Sequence, residues 1–176
     1  LNANDENIER LANELTSYTR HYHECARDLS NLRRLAATRL SSAVEEEIQR
    51  LGMPGGRFVI ELRPQSSSDP MPHGLEHVEL LVSANPGQPL KALAKVASGG
   101  ELSRISLAIQ VITAQTSRVP TLVFDEVDVG IGGPTAEIVG QLLRRLGERG
   151  QVLTVTHLPQ VAAQCHQHLF VHKVRE

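Results

Sequence analysis

The most informative part of the sequence is ASGGELSR at residues 97–104. A serine and two glycines open directly into a helix, so a hydroxyl, free backbone N–H groups and the positive end of the helix dipole are available to an anion. Glycine is needed there because a side chain would keep the backbone from approaching a ligand. The segment predicts a phosphate-binding helix start. The alternative is an ordinary helix capped by Ser98 or Ser103.

A second motif, TLVFDE at residues 121–126, places two acids directly after a short apolar strand. Ligands of open α/β sheets bind at the carboxyl ends of the strands, where Asp125 and Glu126 would lie. Asp125 can orient Mg²⁺, commonly through water, and Glu126 can polarise an attacking water. The alternative is a strand that ends in two solvated carboxylates.

A third motif, VLTVTH at residues 152–157, is another apolar strand followed by a histidine. An imidazole at the same sheet edge can hydrogen-bond a terminal phosphate and report its presence. The order and spacing of the three motifs together are more specific than any one of them.

The segments around these motifs predict an α/β fold. Apolar strands that alternate with helices indicate parallel strands buried on both faces. Pro134 begins the helix between the second and third motifs, and residues 169–171 are a candidate third strand. Two sets of apolar residues mark helix faces: Leu102, Ile105, Ile109 and Ile112, and then Ile138, Leu142, Leu143 and Leu146.

The N-terminal part of the chain carries a heptad pattern. Its apolar positions alternate gaps of three and four residues: Ile8, Leu11, Leu15, Tyr18, Tyr22, Cys25, Leu29, Leu32 and Ala36. This pattern predicts a coiled-coil seam, and the alternative is a long amphipathic helix on its own domain. After Ala36 the gaps lengthen through Leu40, Val44, Ile48 and Leu51, so the helix is expected to leave its partner and pack on a globular body.

Turn-forming residues at 52–56 predict the end of this helix, and strands follow at residues 58–62 and 75–82. The segment between the two strands, residues 64–74, is polar and predicts an exposed loop. A turn is expected at residues 85–88.

Composition limits the classes of function. Hydrophobic residues make up 40% of the chain without a long uncharged run, which predicts a soluble protein without a membrane span. The net charge of -2 argues against a dedicated nucleic-acid-binding module. Two cysteines in unrelated contexts fit a reducing cytoplasm. No secretory signal opens the chain, which is expected to be a piece of something longer.

The three motifs resemble those of ATP-binding-cassette ATPases. Residues 98–101 are similar to their signature motif, Asp125 and Glu126 to their Walker B pair, residues 128–133 to their D-loop, and His157 to their switch histidine. Within residues 75–173, the stretches NPG at 85–87, KVASGGELSR at 95–104, FDEVD at 124–128 and GIGG at 130–133 resemble those of RecN, a bacterial family of DNA-repair proteins. That family resembles the structural-maintenance-of-chromosomes (SMC) proteins, in which a coiled coil separates the two halves of one ATPase head.

This resemblance implies an α/β fold, the C-terminal lobe of an ABC/SMC-type P-loop ATPase head, with a parallel sheet and flanking helices. It implies a coiled-coil helix over residues 1–51 and the C-terminal half of the head over residues 52–176. ATP and Mg²⁺ are the implied cofactors. Glu126 and His157 would be catalytic, and Asp125 would serve the metal through water. The implied nucleotide-binding residues are Ser98, Gly99, Gly100, Glu101, Asp128 and Gly130.

The implied partners are the N-terminal half of the same head, a second protomer across ATP, and DNA through the full-length protein, in the cytoplasm at the nucleoid. The chain departs from a complete head because it contains no G-x-x-x-x-G-K-[ST] phosphate loop and no identifiable glutamine loop. Alone, it is therefore expected to bind ATP weakly and to hydrolyse it negligibly. The alternatives are another SMC-like coiled-coil ATPase, tied to chromosome structure or to a nuclease, and a non-catalytic dimerisation module.

Other clusters predict less. A zinc site at Cys165, His166, His168 and His172 lacks a matching second ligand pair, and a metal between His21 and Cys25 is weaker still. Three arginines on the N-terminal helix are candidates for DNA contacts, with a solvated helix face as the alternative: Arg33, Arg34 and Arg39.

Overall fold

A computed structural model of the chain describes residues 2–66, 69–96, 98–114 and 119–172, with side chains from residue 5 onward. The first elements are helix α1 (Asn2–Arg50), strands β1 (Arg57–Pro64), β2 (Glu76–Ser83) and β3 (Lys91–Ala92), and a 3-10 helix (Leu93–Lys95). They are followed by α2 (Gly99–Thr113), β4 (Thr121–Phe124), α3 (Gly133–Gly147), β5 (Gln151–Thr154) and α4 (Pro159–Ala162). Within the described residues, none of the helices is both long and apolar enough to cross a lipid bilayer.

The chain divides into two compact units. The first unit contains Leu1–Arg39 and Ile60–Glu79, and the second contains Leu40–Val59 and Leu80–Glu176. Both units therefore include part of α1 and part of the β1–β2 region. A functional boundary between residues 51 and 52 stays a prediction.

Helix α1 ends where the sequence predicts. Gly52 adopts the left-handed conformation with φ +82°, which glycine accepts without steric cost. The backbone N–H of Met53 donates to the carbonyl of Ile48 at 3.3 Å and so occupies one of the last helical carbonyls. The left-handed conformation of Gly52 therefore ends the helix.

In the first unit, α1 is bonded to the segment before β2. The hydroxyl of Tyr22 accepts from the N–H of Met71 at 2.9 Å and donates to its carbonyl at 3.1 Å. Arg33 donates to the carbonyl of His73 at 2.8 Å and lies 3.5 Å from the Glu76 carboxylate. These bonds engage Arg33 within the chain, which weakens its candidacy as a DNA contact.

Most of the predicted coiled-coil seam is exposed in the described part of the chain, although Tyr22 is half-buried and bonded to Met71. Its first four members, Ile8, Leu11, Leu15 and Tyr18, are all exposed. The buried residues of this helix in the first unit lie on another face, at Ala26, Ser30 and Ala37. Most of the stripe therefore does not pack on the described residues, and its pairing with a second helix stays a prediction.

The second unit holds the larger core. Val44, Ile48 and Leu51 are fully buried there, which confirms that this end of α1 packs on a globular body. Helix α3 packs against α2, α4 and β5. The other core side chains of this unit are Met53, Phe58 and Val82 and, in the α/β part, Ile105, Leu107, Ala108, Phe124, Val127, Ala136, Val139, Leu142, Leu143, Leu146 and Val161.

Two sheets are present in the described residues. The first has the strand order β1-β2-β3, with β2 and β3 antiparallel, and the two-residue β3 had no sequence prediction. In the second sheet β4 and β5 are parallel, paired from Thr121 and Gln151 to Phe124 and Thr154. The predicted parallel arrangement of the two apolar strands is confirmed.

The prediction that these strands are buried on both faces is wrong. Val123 is 67% exposed and Val155 is 64% exposed, whereas Phe124 is buried. Leu153 is exposed on β5 as well. Helices of the second unit cover one face of the pair, and no described residue covers the other. The prediction of burial followed from the apolar residues on that face.

The predicted strand at residues 169–171 is also wrong. These residues have no strand conformation, and Leu169, Phe170 and Val171 are almost fully exposed. A strand requires a neighbour to pair with, and the described residues provide none for this segment. The ring of Phe170 instead stacks on that of His172, with centroids 5.7 Å apart.

Helix α2 buries a different face from the one predicted. Leu102 is exposed, and Ile109 and Ile112 are only half-buried. Apolar periodicity identified Ile105 but could not anticipate the burial of an arginine. The buried residues of this helix are Gly100, Arg104, Ile105, Leu107 and Ala108.

Candidate functional site

The parallel pairing of β4 and β5 brings two of the predicted motifs together. Because Phe124 pairs with Thr154, the loops that follow the two strands begin at the same sheet edge. Asp125 and Glu126 follow β4, and His157 follows β5. The sequence prediction that these acids and the histidine share one edge is consistent with this register.

Asp128 joins the two loops. Its carboxylate is 2% exposed, and Oδ2 accepts a very short hydrogen bond from the Thr156 hydroxyl and a bond of 3.2 Å from the His157 backbone N–H. The same oxygen lies 3.5 Å from His157 Nδ1. A buried carboxylate needs such donors to offset its desolvation. Asp128 therefore fixes the backbone of His157, while the imidazole remains largely exposed.

The start of α2 lies against the loop after β4. A side chain at Gly99 would overlap the carboxylate of Glu126. A Cβ at Gly100 would come within 3.2–3.3 Å of Val129 and of the Glu126 carbonyl. The two glycines are thus required by the close approach of this loop, in addition to any ligand.

Ser98 is the N-cap of α2. Its hydroxyl accepts a hydrogen bond from the backbone N–H of Glu101 at 3.4 Å, and its own backbone is extended. Capping by Ser98 was the alternative in the sequence analysis, and it is compatible with anion binding because a helix start has several unsatisfied N–H groups. Ser98 and Gly99 are both exposed, so the helix start is open to solvent.

Glu126 has an unusual backbone. Its φ is +58°, in the left-handed region, which costs a non-glycine residue about 1–2 kcal/mol. The Asp125 carboxylate accepts from the Glu126 N–H at 2.9 Å and supports this conformation. Both acids are exposed at the sheet edge. The strain is located at the residue that the sequence assigns to polarising water, as is common at functional sites.

Two residues of α2 hold this loop in place, and the sequence predicted this role for neither, since Ser103 was a candidate cap only. The Ser103 hydroxyl donates to the Asp125 carbonyl at 2.6 Å, and Arg104 Nη1 donates to the Val129 carbonyl at 2.6 Å. Burial lowers the pKa of Arg104 from its usual value, and the nearby charge of Glu101 partly opposes this. No sequence signal marks a bond to a backbone carbonyl, because any residue supplies that acceptor.

Gly130 lies in the turn that follows. Its φ is +74°, and it is exposed with open space where a side chain would project. Glycine is therefore suited to the backbone conformation here, and its predicted contact with nucleotide stays a prediction.

The metal clusters considered from sequence gain no support. Across residues 2–66, 69–96, 98–114 and 119–172, no group of three or more His, Cys, Asp or Glu side chains is placed to hold a metal ion. Cys165 Sγ lies 3.8 Å from the Val161 carbonyl, and Cys25 lies 3.7 Å from the ring of His21. Asp125 is compatible with Mg²⁺ in a more limited sense, since this ion is commonly held by one or two carboxylates together with phosphate oxygens and water.

The fold is that of the C-terminal lobe of an SMC-type head domain. It is similar to an Smc head domain with an extended coiled coil from Pyrococcus furiosus, with a TM-score of 0.59, 22% identity, and coverage of 91% of this chain and 38% of that one. A head with a coiled coil and joint from Pyrococcus yayanosii gives a TM-score of 0.61 at 22% identity over 92% of this chain and 30% of that one. At this identity the likeness establishes the fold.

Sequence similarity gives the family. The chain is 49% identical over 170 residues to the DNA repair protein RecN of Xylella fastidiosa strain Temecula1, covering 97% of this chain and 30% of that protein. It is 51% identical over 173 residues to RecN of Vibrio cholerae, covering 98% of this chain and 31% of that protein. No family model matches the sequence. The chain belongs to the RecN family and corresponds to a C-terminal segment, spanning less than a third of the length of these relatives.

Proposed function

We propose that the chain is the C-terminal part of an ATPase head that hydrolyses ATP between two protomers. The observation that carries this proposal is the meeting of the α2 start, the two acids after β4 and the loop of His157 at one edge of the β4–β5 sheet. An open helix start suits an anion, and adjacent carboxylates suit a metal and a water.

Each group then has a distinct task. Ser98, Gly99, Gly100 and Glu101 form the helix start that binds the γ-phosphate of ATP held by the opposite protomer. Glu126 accepts a proton from the attacking water, and His157 donates a hydrogen bond to the terminal phosphate. Asp125 would hold Mg²⁺ through water, and the ion would supply neutralisation of phosphate charge. Asp128 and Gly130 belong to the loop that faces the second protomer.

The rest of the head is proposed to come from the N-terminal half of the full-length protein. The chain lacks a phosphate loop. It also exposes an apolar face of β4–β5 to solvent, whereas parallel strands are normally covered on both faces. An N-terminal half that covers Val123, Leu153 and Val155 would supply both the cover and the missing loop. The exposed seam of α1 is proposed to pair with a second coiled-coil helix.

The biological role is proposed from the relatives, which are named as DNA repair proteins. We infer that the full-length protein acts in double-strand-break repair in the cytoplasm, at the nucleoid. The net charge of -2 argues against a generally basic, DNA-binding surface on this segment.

Substitution of Glu126 by Gln in the full-length protein tests the proposal. Removal of a general base is expected to lower ATP turnover by about a hundredfold or more, while ATP still binds and holds two protomers together. Turnover is measured by phosphate release and association by size-exclusion chromatography. Glu137→Gln, at an exposed position of α3, should leave both unchanged. Wild-type turnover by the Glu126→Gln protein would refute the assignment.

A further inference from the structure

Arg104 is a charged residue in an unfavourable place. Its side chain is buried, with the residue 6% exposed, and Nη1 donates to the Val129 carbonyl. Its Nε is buried without a hydrogen-bond partner among the described residues. A buried guanidinium with one carbonyl partner and an unsatisfied donor is poor for stability, since a buried donor without a partner loses its hydration without compensation. Stability alone therefore does not account for an arginine here.

The loop that Arg104 holds is the one that carries the acids. Residues 125–129 are bonded to α2 near each end, by Ser103 at the Asp125 carbonyl and by Arg104 at the Val129 carbonyl. Between these bonds, Gly100 packs against the Glu126 carbonyl. On its other side the loop is fixed by Asp128 to Thr156 and His157. A shift of the α2 start would thus move the Glu126 backbone directly.

We propose that Arg104 is a positioning residue that couples the phosphate-binding start of α2 to the loop carrying Glu126. This inference rests on the proposed function. In a dimer with ATP between protomers, the α2 start of one protomer serves one nucleotide and its Glu126 serves the other. Arg104 therefore connects the two nucleotide sites through a single protomer. The unpartnered Nε leaves the guanidinium with a second donor beside this loop.

The test compares Arg104→Met, Arg104→Lys and the wild type in the full-length protein, with turnover measured against ATP concentration. Arg104→Met is expected to lower kcat about tenfold and to bring the Hill coefficient close to one, while ATP binding in the Glu126→Gln background changes less than about twofold. Arg104→Lys, which keeps one charged donor, should recover part of kcat and of the cooperativity. The matched control is Arg144→Met, because Arg144 also donates to a backbone carbonyl, that of Gln164 at 2.9 Å, but its side chain is exposed.

The outcomes separate the two proposals. Absence of turnover in the wild type, or full turnover in Glu126→Gln, contradicts the proposed function. A cooperative wild type with an inactive Glu126→Gln, together with an Arg104→Met protein of unchanged kcat and Hill coefficient, overturns the positioning role. A non-cooperative wild type overturns it as well. If Arg104→Met fails to fold, Arg104→Lys decides the question by the same Hill coefficient and kcat.

Discussion

At Gly99, one added methyl group would occupy the space that the Glu126 carboxylate fills. The clash involves the end of a flexible side chain, so Gly99→Ala is expected to displace the carboxylate without unfolding the protein. Misplacement of a reacting group by about 1 Å lowers rates by up to about a hundredfold, so turnover should fall by about tenfold to a hundredfold.

Gly147→Ala in α3 is the control for this change. A Cβ there would make ordinary contacts of 3.7 Å with His166, and alanine favours the helix. ATP turnover and thermal unfolding of the full-length proteins are the measurements. Equal turnover in Gly99→Ala and the wild type would contradict the close approach of Gly99 and Glu126.

Asp128 is expected to matter for stability more than His157 does. Asp128→Ala leaves the Thr156 hydroxyl and the His157 N–H without their acceptor, which should lower the free energy of unfolding by about 1–3 kcal/mol. His157→Ala removes a side chain that is 69% exposed and should change it by less than about 0.5 kcal/mol. Chemical denaturation measures both, and the reverse order would show that Asp128 does not tie the two loops.

Among individual residues, the sequence predicted those site residues that follow a strand or begin a helix. Ser98, Asp125, Glu126 and His157 could be recognised because their positions follow from local patterns. Thr156 and Arg104 could not, since Thr156 binds a carboxylate 28 residues away and Arg104 binds a carbonyl 25 residues away. Contacts of this kind depend on tertiary structure and leave no mark on spacing.

One apolar face of the β4–β5 pair is left exposed by the described residues. Leu153→Lys should be tolerated where the side chain is exposed, but would bury an unpaired ammonium if an N-terminal half covers this face. We expect the two halves, when co-expressed, to associate at least about tenfold more weakly, a loss of about 1.4 kcal/mol.

The control for this substitution is Gln141→Lys, at an exposed position of α3 away from the uncovered face. Co-purification and titration of the two halves measure the association. If Leu153→Lys associates as well as Gln141→Lys, the N-terminal half does not cover the exposed face of β4–β5.

Most elements were predictable because their periodicity is local. Helix α1, strands β1 and β2, and the parallel pair β4 and β5 lie close to the predicted positions. Burial was not predictable in the same way. The sequence of β4 and β5 is apolar on both faces, whereas the described residues cover only one of them. The exposure of Leu169 to Val171 has the same origin, because an apolar run becomes a strand only beside another strand.

For the whole molecule, the lack of a phosphate loop has a chemical consequence. Most of the binding energy for the phosphates of ATP in P-loop enzymes comes from the phosphate loop, its lysine and its Mg²⁺-binding hydroxyl, and the sequence contains no such loop. The acids and the α2 start then have no nucleotide held against them.

Turnover by the 176-residue chain alone should therefore remain at background, and co-expression with the N-terminal half of the full-length protein should restore it. Phosphate release from purified chain, with the Glu126→Gln form of the co-expressed complex as control, measures this. Robust release by the chain alone would mean that it binds ATP without a partner half and that the division of the site between two halves is wrong.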